Sequence, residues 1–211
     1  MITTSRLAVV GALGVAYFGT VFALLHVLDP ATDAVGRAGS EYVLGPYGVL
    51  MTSCYLALAV SLVALAIAFA RSLGRRVAPG LLLFAAFGLV LSSIFPTDRG
   101  VVAVTTTGMI HNFAGLGSFI SILIAELSLS RAIRHDARFA SSAGVLASLS
   151  FVVGASFVVL FFVAGPFAST GLFGAAQRLF LAGALSWLFL AALRLREVGD
   201  QGTMRSVSTT V

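Results

Sequence analysis

Six blocks of apolar residues, each about 20 residues long, constrain the fold of this 211-residue chain more than any other feature. A helix of that length crosses the hydrocarbon core of a bilayer, which is roughly 30 Å thick. The chain is 59% hydrophobic and only 10% charged, whereas soluble proteins carry roughly 25% charged residues. A soluble fold of this size could not bury so much apolar surface. The sequence therefore predicts an all-α, polytopic membrane bundle of six transmembrane helices.

The hydropathy pattern also predicts where the six helices begin and end. They cover residues 7–28, 47–70, 80–95, 108–129, 143–165 and 179–195. The first block is longer than the apolar region of a typical signal peptide and no convincing A-x-A cleavage site follows it, so we interpret it as a membrane helix. We expect residues 1–198 to form one transmembrane domain. Residues 199–211, which are polar and rich in serine and threonine, are expected to form a disordered cytoplasmic tail.

The placement of arginine predicts the orientation of the bundle. All thirteen basic residues are arginines, and only Arg37, Arg99 and Arg178 fall outside the side that holds both termini. The positive-inside rule then places both termini in the cytoplasm, with the helices crossing the inner (cytoplasmic) membrane. The lack of lysine and the heavy use of small apolar residues are typical of a GC-rich bacterial genome. The net charge of +5 is explained by positives that flank helices, and we predict no binding to nucleic acid.

Small residues indicate how the helices pack. On the fourth helix, His111 shares one face with Gly108, Gly115 and Ser118, so it is expected to point into the bundle. A four-residue repeat on the first helix predicts a close helix contact. Its members are Ala8, Ala12, Ala16 and Thr20.

Polar and ionisable side chains collect on the side opposite the termini, here called the outer side. His26, His111 and Asn112 lie within or at the edge of the apolar blocks, where a polar group is costly unless it is paired or hydrated. These residues are therefore functional candidates. Glu126, near the cytoplasmic end of the fourth helix, is expected to reach the membrane interface instead.

The segment from residue 95 to 112 is the most informative part of the outer side. The run Phe95-Pro96-Thr97-Asp98 ends the third helix in a turn. Asp98 and His111 flank one short loop, close enough to form a hydrogen bond. A carboxylate fixes the tautomer of a neighbouring imidazole and raises its basicity, which suits a general base. The same pair would equally suit a structural clamp on the loop, and both interpretations stay open.

Two other outer segments also have two interpretations. Glu41 could act as an acid while Tyr42 and Tyr47 form a pocket wall, or the segment could be a turn that caps the second helix. Gln177 and Arg178 could bind an anion such as a phosphate headgroup, or Arg178 could anchor the sixth helix at the interface.

The order of these motifs resembles the prokaryotic integral membrane family catalogued as domain of unknown function 998. The similarity covers nearly the whole chain, and its most specific part is an F-P-T-D segment followed by G-x-I-H. The resemblance implies a six-helix bundle and a grouping of outer residues, and it implies no activity. The matching residues are Ser40, Tyr42 and 45–48, then 95–98 and 108–111, then 171–173 followed by Arg178.

These observations lead to two main hypotheses about function. In the first, a polar outer pocket between helices one, three, four and six, capped by the first and third outer loops, binds a lipid or other hydrophobic, isoprenoid-like substrate, with or without transforming it by acid–base chemistry. The catalytic candidates are Asp98, His111 and Glu41. The substrate-binding candidates are His26, Asp29, Tyr42, Tyr47, Arg99, Asn112 and Arg178. In the second hypothesis, the protein is a non-enzymatic lipid-binding, transport or accessory protein whose polar cluster is structural.

A third hypothesis treats two histidines and two aspartates as zinc ligands, because zinc accepts nitrogen and carboxylate donors. The four residues would be His26, Asp29, Asp98 and His111. Two histidines alone are weak evidence for a metal site, and we predict no metal and no cofactor. The expected partners are membrane lipids and a hydrophobic small molecule. The sequence contains no G-x-S-x-G, H-E-x-x-H, P-loop or dinucleotide-binding motif.

Overall fold

A computed structural model describes residues 2–100 and 102–208, with side chains described through residue 200. Six helices in this part of the chain are long and apolar enough to cross a membrane, and no strand occurs among the described residues. The predicted all-α bundle of six membrane-spanning helices is therefore confirmed. The helices are α1 (Thr4–Leu28), α2 (Gly48–Leu73), α3 (Val77–Ile94), α4 (Thr106–Arg134), α5 (Ala140–Ala164) and α6 (Phe173–Ser208).

The last helix differs most from its predicted bounds. It begins at Phe173, six residues early, and continues to Ser208 through much of the segment that was predicted to be disordered. The helix packs beyond its apolar block, because Val198 is buried and Gly199 lies against the backbone of Ser5 in α1. Hydropathy does not detect this contact. Residues 209–211 of the predicted tail lie outside the described residues.

The six helices form a closed ring in sequence order. Each helix packs against the next, and α6 packs against α1. Successive membrane-spanning helices run antiparallel, and the loops alternate between two ends of the bundle. The outer side carries loops 29–47, 95–105 and 165–172, the first of which contains a short 3₁₀ helix, Gly39–Leu44. The start of α1 and the end of α6 lie together at the other end.

The half of the bundle nearer the chain ends has a well-packed core. The indole of Trp187 is fully buried and donates hydrogen bonds to the hydroxyl of Ser130, at 2.8 Å, and to the carbonyl of Leu146, at 3.0 Å. The ring of Phe69 lies 6.2 Å from the same indole. Trp187 therefore connects α6 to α4, α5 and α2. The outer half of the bundle contains a cavity instead.

A glycine allows a close contact between α3 and α4. A Cβ atom placed on Gly88 would overlap the hydroxyl of Ser118 and lie 2.7 Å from the carbonyl oxygen of Ala114. The hydroxyl of Ser118 already donates to Ala114 at 2.8 Å and to Ala85 at 3.1 Å, so it cannot turn away without losing these bonds. The backbones of the two helices can approach this closely only because residue 88 has no side chain.

A second glycine has the same role between α1 and α2. A Cβ atom on Gly14 would overlap the hydroxyl of Ser61 in α2. The small-residue repeat predicted on α1 is correct only in its first half. Ala8 and Ala12 are buried, whereas Ala16 and Thr20 are exposed. The contact with α2 is made by Gly14, which lies on a neighbouring face of α1. The helix α1 also packs against α6.

We predict that Gly88→Ala lowers the free energy of unfolding by about 1–3 kcal/mol, the usual cost of overpacking a tight contact. Gly80→Ala in the same helix is the matched control, since nothing lies within 4 Å of a Cβ at that position. The control should leave stability unchanged or raise it slightly, because alanine favours the helix. Thermal unfolding in detergent measures both effects. Equal stability of the two variants would contradict the close contact.

The second prediction concerns orientation. In a Cys54→Ala background, which removes the one native cysteine, we expect Arg99→Cys to react with a membrane-impermeant maleimide on intact cells. Arg75→Cys, in the exposed turn between α2 and α3, should react only after the membrane is permeabilised. The reverse labelling pattern would show that the predicted orientation is wrong.

Candidate functional site

A cavity of about 390 Å³ occupies the outer half of the bundle. All six helices contribute to its wall, which is mainly apolar. One apolar lining residue from each helix, in chain order, is Phe18, Leu58, Leu89, Ile122, Leu160 and Leu181.

The polar part of the cavity lies at its outer end, within about two helical turns of the outer loops. Ser118 lies deeper, but its hydroxyl is already bonded to two backbone carbonyls. None of the described residues that line the cavity is Asp, Glu, Lys or Arg. The polar side chains at the outer end are Ser40, Tyr55, Ser92, Thr97, His111, Asn112 and Gln177.

The cavity differs from the predicted pocket in three ways. Helices α2 and α5 also line it, its wall is mainly apolar, and the first and second outer loops cover it. The third outer loop contributes only Gly165. Hydropathy could not identify the contributions of α2 and α5, because these helices line the cavity largely with apolar side chains and a lining position cannot be distinguished from a core position.

His111 is buried at the polar end of the cavity, as its position on the inner face of α4 predicted. Its Nδ1 atom lies 2.9 Å from the carbonyl oxygen of Phe95. A carbonyl can only accept, so Nδ1 carries the proton and Nε2 is the acceptor of the neutral ring. The contact supplies a donor to the carbonyl of Phe95, the C-cap residue that follows α3. The ring of Tyr55 meets this imidazole edge-on, with the centroids 5.9 Å apart.

Asp98 and His111 do not form the expected hydrogen bond with each other in the described structure. The Oδ2 atom of Asp98 accepts from the backbone N–H groups of Val104 and Thr105, both at 2.8 Å, and its Oδ1 atom accepts from the Thr105 hydroxyl at 2.9 Å. The N–H of Thr105, followed by that of Val104, holds the pKa of Asp98 below its ordinary value. These bonds fit the structural clamp, because Thr105 is the N-cap of α4.

Glu41 connects two outer loops. It is buried, and its Oε1 atom accepts from the N–H of Gly100 at 3.1 Å. Its Oε2 atom has no hydrogen-bond partner and lies 3.8 Å from the guanidinium of Arg37. Glu41 is not among the residues that line the cavity, and neither is Asp98. Of the three predicted catalytic residues, only His111 reaches the cavity.

Arg178 holds α6 to α1 and to the first outer loop. Its Nε atom donates to Nε2 of His26 at 2.7 Å, and its Nη1 atom donates to the carbonyl of Arg37 at 2.8 Å. The Nδ1 atom of His26 lies 2.7 Å from the carbonyl of Phe22, so this imidazole is protonated on Nδ1. The guanidinium also lies over the rings of Phe22 and Tyr42, at 5.6 and 5.9 Å.

The other predicted ligand contacts lie around the cavity rather than in its wall. Asp29 is buried against Gly45, and its Oδ2 atom accepts from the hydroxyl of Thr32 at 3.1 Å. Tyr47 precedes α2 and is partly exposed, and Arg99 is exposed in the second outer loop. The ten predicted site residues therefore form a shell on the outer side, and two of them line the cavity, His111 and Asn112.

Sequence reasoning missed several residues at the polar end. Tyr55 lies inside an apolar block, which was a signal that could have identified it. Its hydroxyl is buried beside Ser40 but makes no well-formed hydrogen bond. Gln177 was not among the ten predicted site residues, yet it lines the cavity and accepts from the N–H of Gly39 at 2.7 Å.

The described part of the chain contains no group of three His, Cys, Asp or Glu side chains that could hold a metal ion. The four residues considered as a zinc set are not brought together. The imidazole of His26 bonds to the carbonyl of Phe22, and the imidazole of His111 bonds to the carbonyl of Phe95.

The bonds of Asp98 generate a prediction about pH. A carboxyl whose pKa is lower in the folded protein than in the unfolded chain stabilises the fold above its ordinary pKa, and this stability is lost as the pH falls through the folded pKa. We therefore expect Asp98→Asn to lower the melting temperature at neutral pH and to reduce its further fall on acidification. Asp200→Asn, which removes an exposed carboxylate, is the control. Parallel pH profiles of wild type and Asp98→Asn would contradict the clamp.

Comparison with known proteins agrees with the fold and adds no activity. A family model described as "Protein of unknown function (DUF998)" matches residues 10–194, which include part or all of each helix. No curated protein and no solved structure matches the chain. The family predicted from the sequence is thus confirmed, and the chain belongs to the DUF998 family of proteins of unknown function.

Proposed function

We propose that this membrane protein binds an amphiphilic ligand, with an apolar chain inside the bundle and an uncharged polar end beneath the outer loops. The observation that supports this most directly is the polarity gradient of the cavity. Its deep wall is formed by leucine, isoleucine and phenylalanine, and its outer end is formed by hydroxyl, amide and imidazole groups. Ligand cavities commonly combine a mainly apolar wall with a few polar groups that fix orientation.

The cavity volume limits the size of the ligand. An engineered cavity of about 150 Å³ holds one benzene molecule, so 390 Å³ corresponds to about 15 carbon atoms. This volume fits one acyl or isoprenoid chain and is too small for both chains of a phospholipid. The ligand would therefore be a single-chain amphiphile, or one chain of a larger lipid.

The charge of the lining limits the polar end of the ligand. A charged group taken from water into this site would have no opposite charge among the described lining residues, and such transfers are very costly. A hydroxyl, ester or amide could instead pair with the polar side chains at the outer end. The Nε2 atom of His111 is an acceptor for such a group.

The membrane is the source from which this ligand would enter. Leu116 of α4 and Phe161 of α5 both line the cavity, yet they are 48% and 63% exposed. These side chains border the cavity and also face the surroundings of the bundle. This position, between α4 and α5, is where an apolar chain could pass from the bilayer into the cavity without crossing water.

The arrangement supports binding better than acid–base catalysis. Asp98 and Glu41 use their carboxylates on backbone N–H groups of the outer loops and do not line the cavity. A general base must come within hydrogen-bond distance of the atom it deprotonates. His111 is alone among the catalytic candidates in meeting this condition, and its Nδ1 proton is held by Phe95.

The test fills the cavity with a side chain. Gly115 lines the cavity and nothing lies within 4 Å of a Cβ there, so Gly115→Leu occupies space without a clash near the backbone. We expect hexadecan-1-ol, at about 100 times its dissociation constant, to stabilise wild type by about 2.7 kcal/mol. The affinity of Gly115→Leu should be lower by about tenfold or more, a loss of about 1.4 kcal/mol in binding. Thermal unfolding in nanodiscs measures both effects.

Gly80→Leu is the matched control, because Gly80 is an exposed helical glycine that does not line the cavity and has nothing within 4 Å. It should bind hexadecan-1-ol as wild type does. Palmitate, which has the same chain length and a charged end, should stabilise wild type less. Equal stabilisation of both glycine variants by hexadecan-1-ol would show that the alcohol acts through the bilayer, and it would contradict the proposal.

A further inference from the structure

Glu126 is a carboxylic acid with no hydrogen-bond partner among the described residues. Its side chain is completely buried, and in the part of the chain that the structure describes neither of its carboxyl oxygens is hydrogen-bonded. The expectation that it reaches the membrane interface is therefore wrong, because the inner face of α4 points it into the core. Ser130, one turn further along α4, is not available to it, since its hydroxyl already pairs with Trp187 and Leu146.

The helices around Glu126 supply no compensating charge. The two neighbours of α4 in the ring, α3 and α5, contain no Asp, Glu, His, Cys, Tyr, Lys or Arg. On α2, no titratable side chain occurs between Tyr55 and Arg71, and on α6 none occurs between Arg178 and Arg194. The described salt bridges involve other residues. An ionised carboxylate at this position would be uncompensated and is strongly disfavoured.

We propose that Glu126 is a proton-binding site in the interior of the membrane domain, neutral while the core is closed and able to release its proton only when water reaches it. This inference does not rest on the proposed ligand. A buried ionisable residue in a membrane helix is costly, and such residues commonly serve proton binding or transfer. The carboxyl is placed for this chemistry because nothing else in the described core uses its proton or its oxygens.

The cavity lies between this site and the outer side. Ile122 lines the cavity, and Glu126 lies one helical turn below it on the same face of α4. A single layer of apolar side chains therefore separates the carboxyl from the cavity. A rearrangement of that layer would expose Glu126 to water from the cavity. The carboxyl would then be protonated while the layer is closed and able to release its proton while the layer is open.

Infrared spectroscopy tests the protonation state directly. The difference spectrum between wild type and Glu126→Gln in a membrane, at about neutral pH, should contain the carbonyl stretching band of a protonated carboxylic acid. The band should be absent from the difference between wild type and Glu197→Gln, whose carboxylate is exposed. A carboxylate band in the Glu126→Gln difference would show that the residue is ionised and would overturn the proposal.

A stability measurement provides the second test. A proton held by the folded protein and released by the unfolded chain makes stability fall as the pH rises. As the pH rises above the ordinary pKa of a glutamate, about 4.3, the melting temperature of wild type should therefore fall more steeply than that of Glu126→Gln, while the isosteric neutral amide keeps the fold. Identical slopes would show that Glu126 binds no proton on folding. The glycine variants of the cavity leave this readout unaffected, so it is independent of the ligand proposal.

Discussion

The structure depends on the need to satisfy backbone polar groups where water is scarce. Inside the bundle the helices do this by themselves. On the outer side, polar side chains form hydrogen bonds with backbone groups of the loops. Asp98 accepts from two backbone N–H groups, Glu41 and Gln177 accept from one each, and Arg178 donates to a carbonyl. The outer loops are held in place by these bonds, and the loops in turn cover the cavity.

The fold could be predicted from the sequence because each apolar block had the length of a membrane helix and arginines marked the ends. The candidate site could be predicted only in part. His111 was placed correctly because a helical face is a local property, fixed by spacing along α4. The partners of Asp98 could not be predicted, since a carboxylate in a loop can bond to a nearby imidazole or to nearby backbone N–H groups with equal chemical reason. The lining of the cavity by α5 could not be predicted, because all of its lining side chains are apolar and the sequence does not distinguish a lining position from a core position. On α2, only Tyr55 carried a signal.

The two halves of the bundle differ in how they use small and large residues. Near the chain ends, Trp187 fills the centre and bonds to two other helices. Towards the outer side, the centre is left open and the helices are held together at the periphery instead. The contact between Gly88 and Ser118 and the contacts of Arg178 both have this effect. An internal space of this size can persist because the loops and the close helix pairs fix its walls.

The contact between α6 and α1 has a consequence for the chain as a whole. It brings Gly199 against Ser5, so the two ends of the ring are neighbours in space although they are far apart in sequence. Each helix then has two neighbours and no position in the ring is terminal. A circularly permuted chain, joined near these two residues and opened in an exposed loop, would keep every helix pair. The order of the helices around the cavity is therefore a property of the closed ring, independent of which helix is made first.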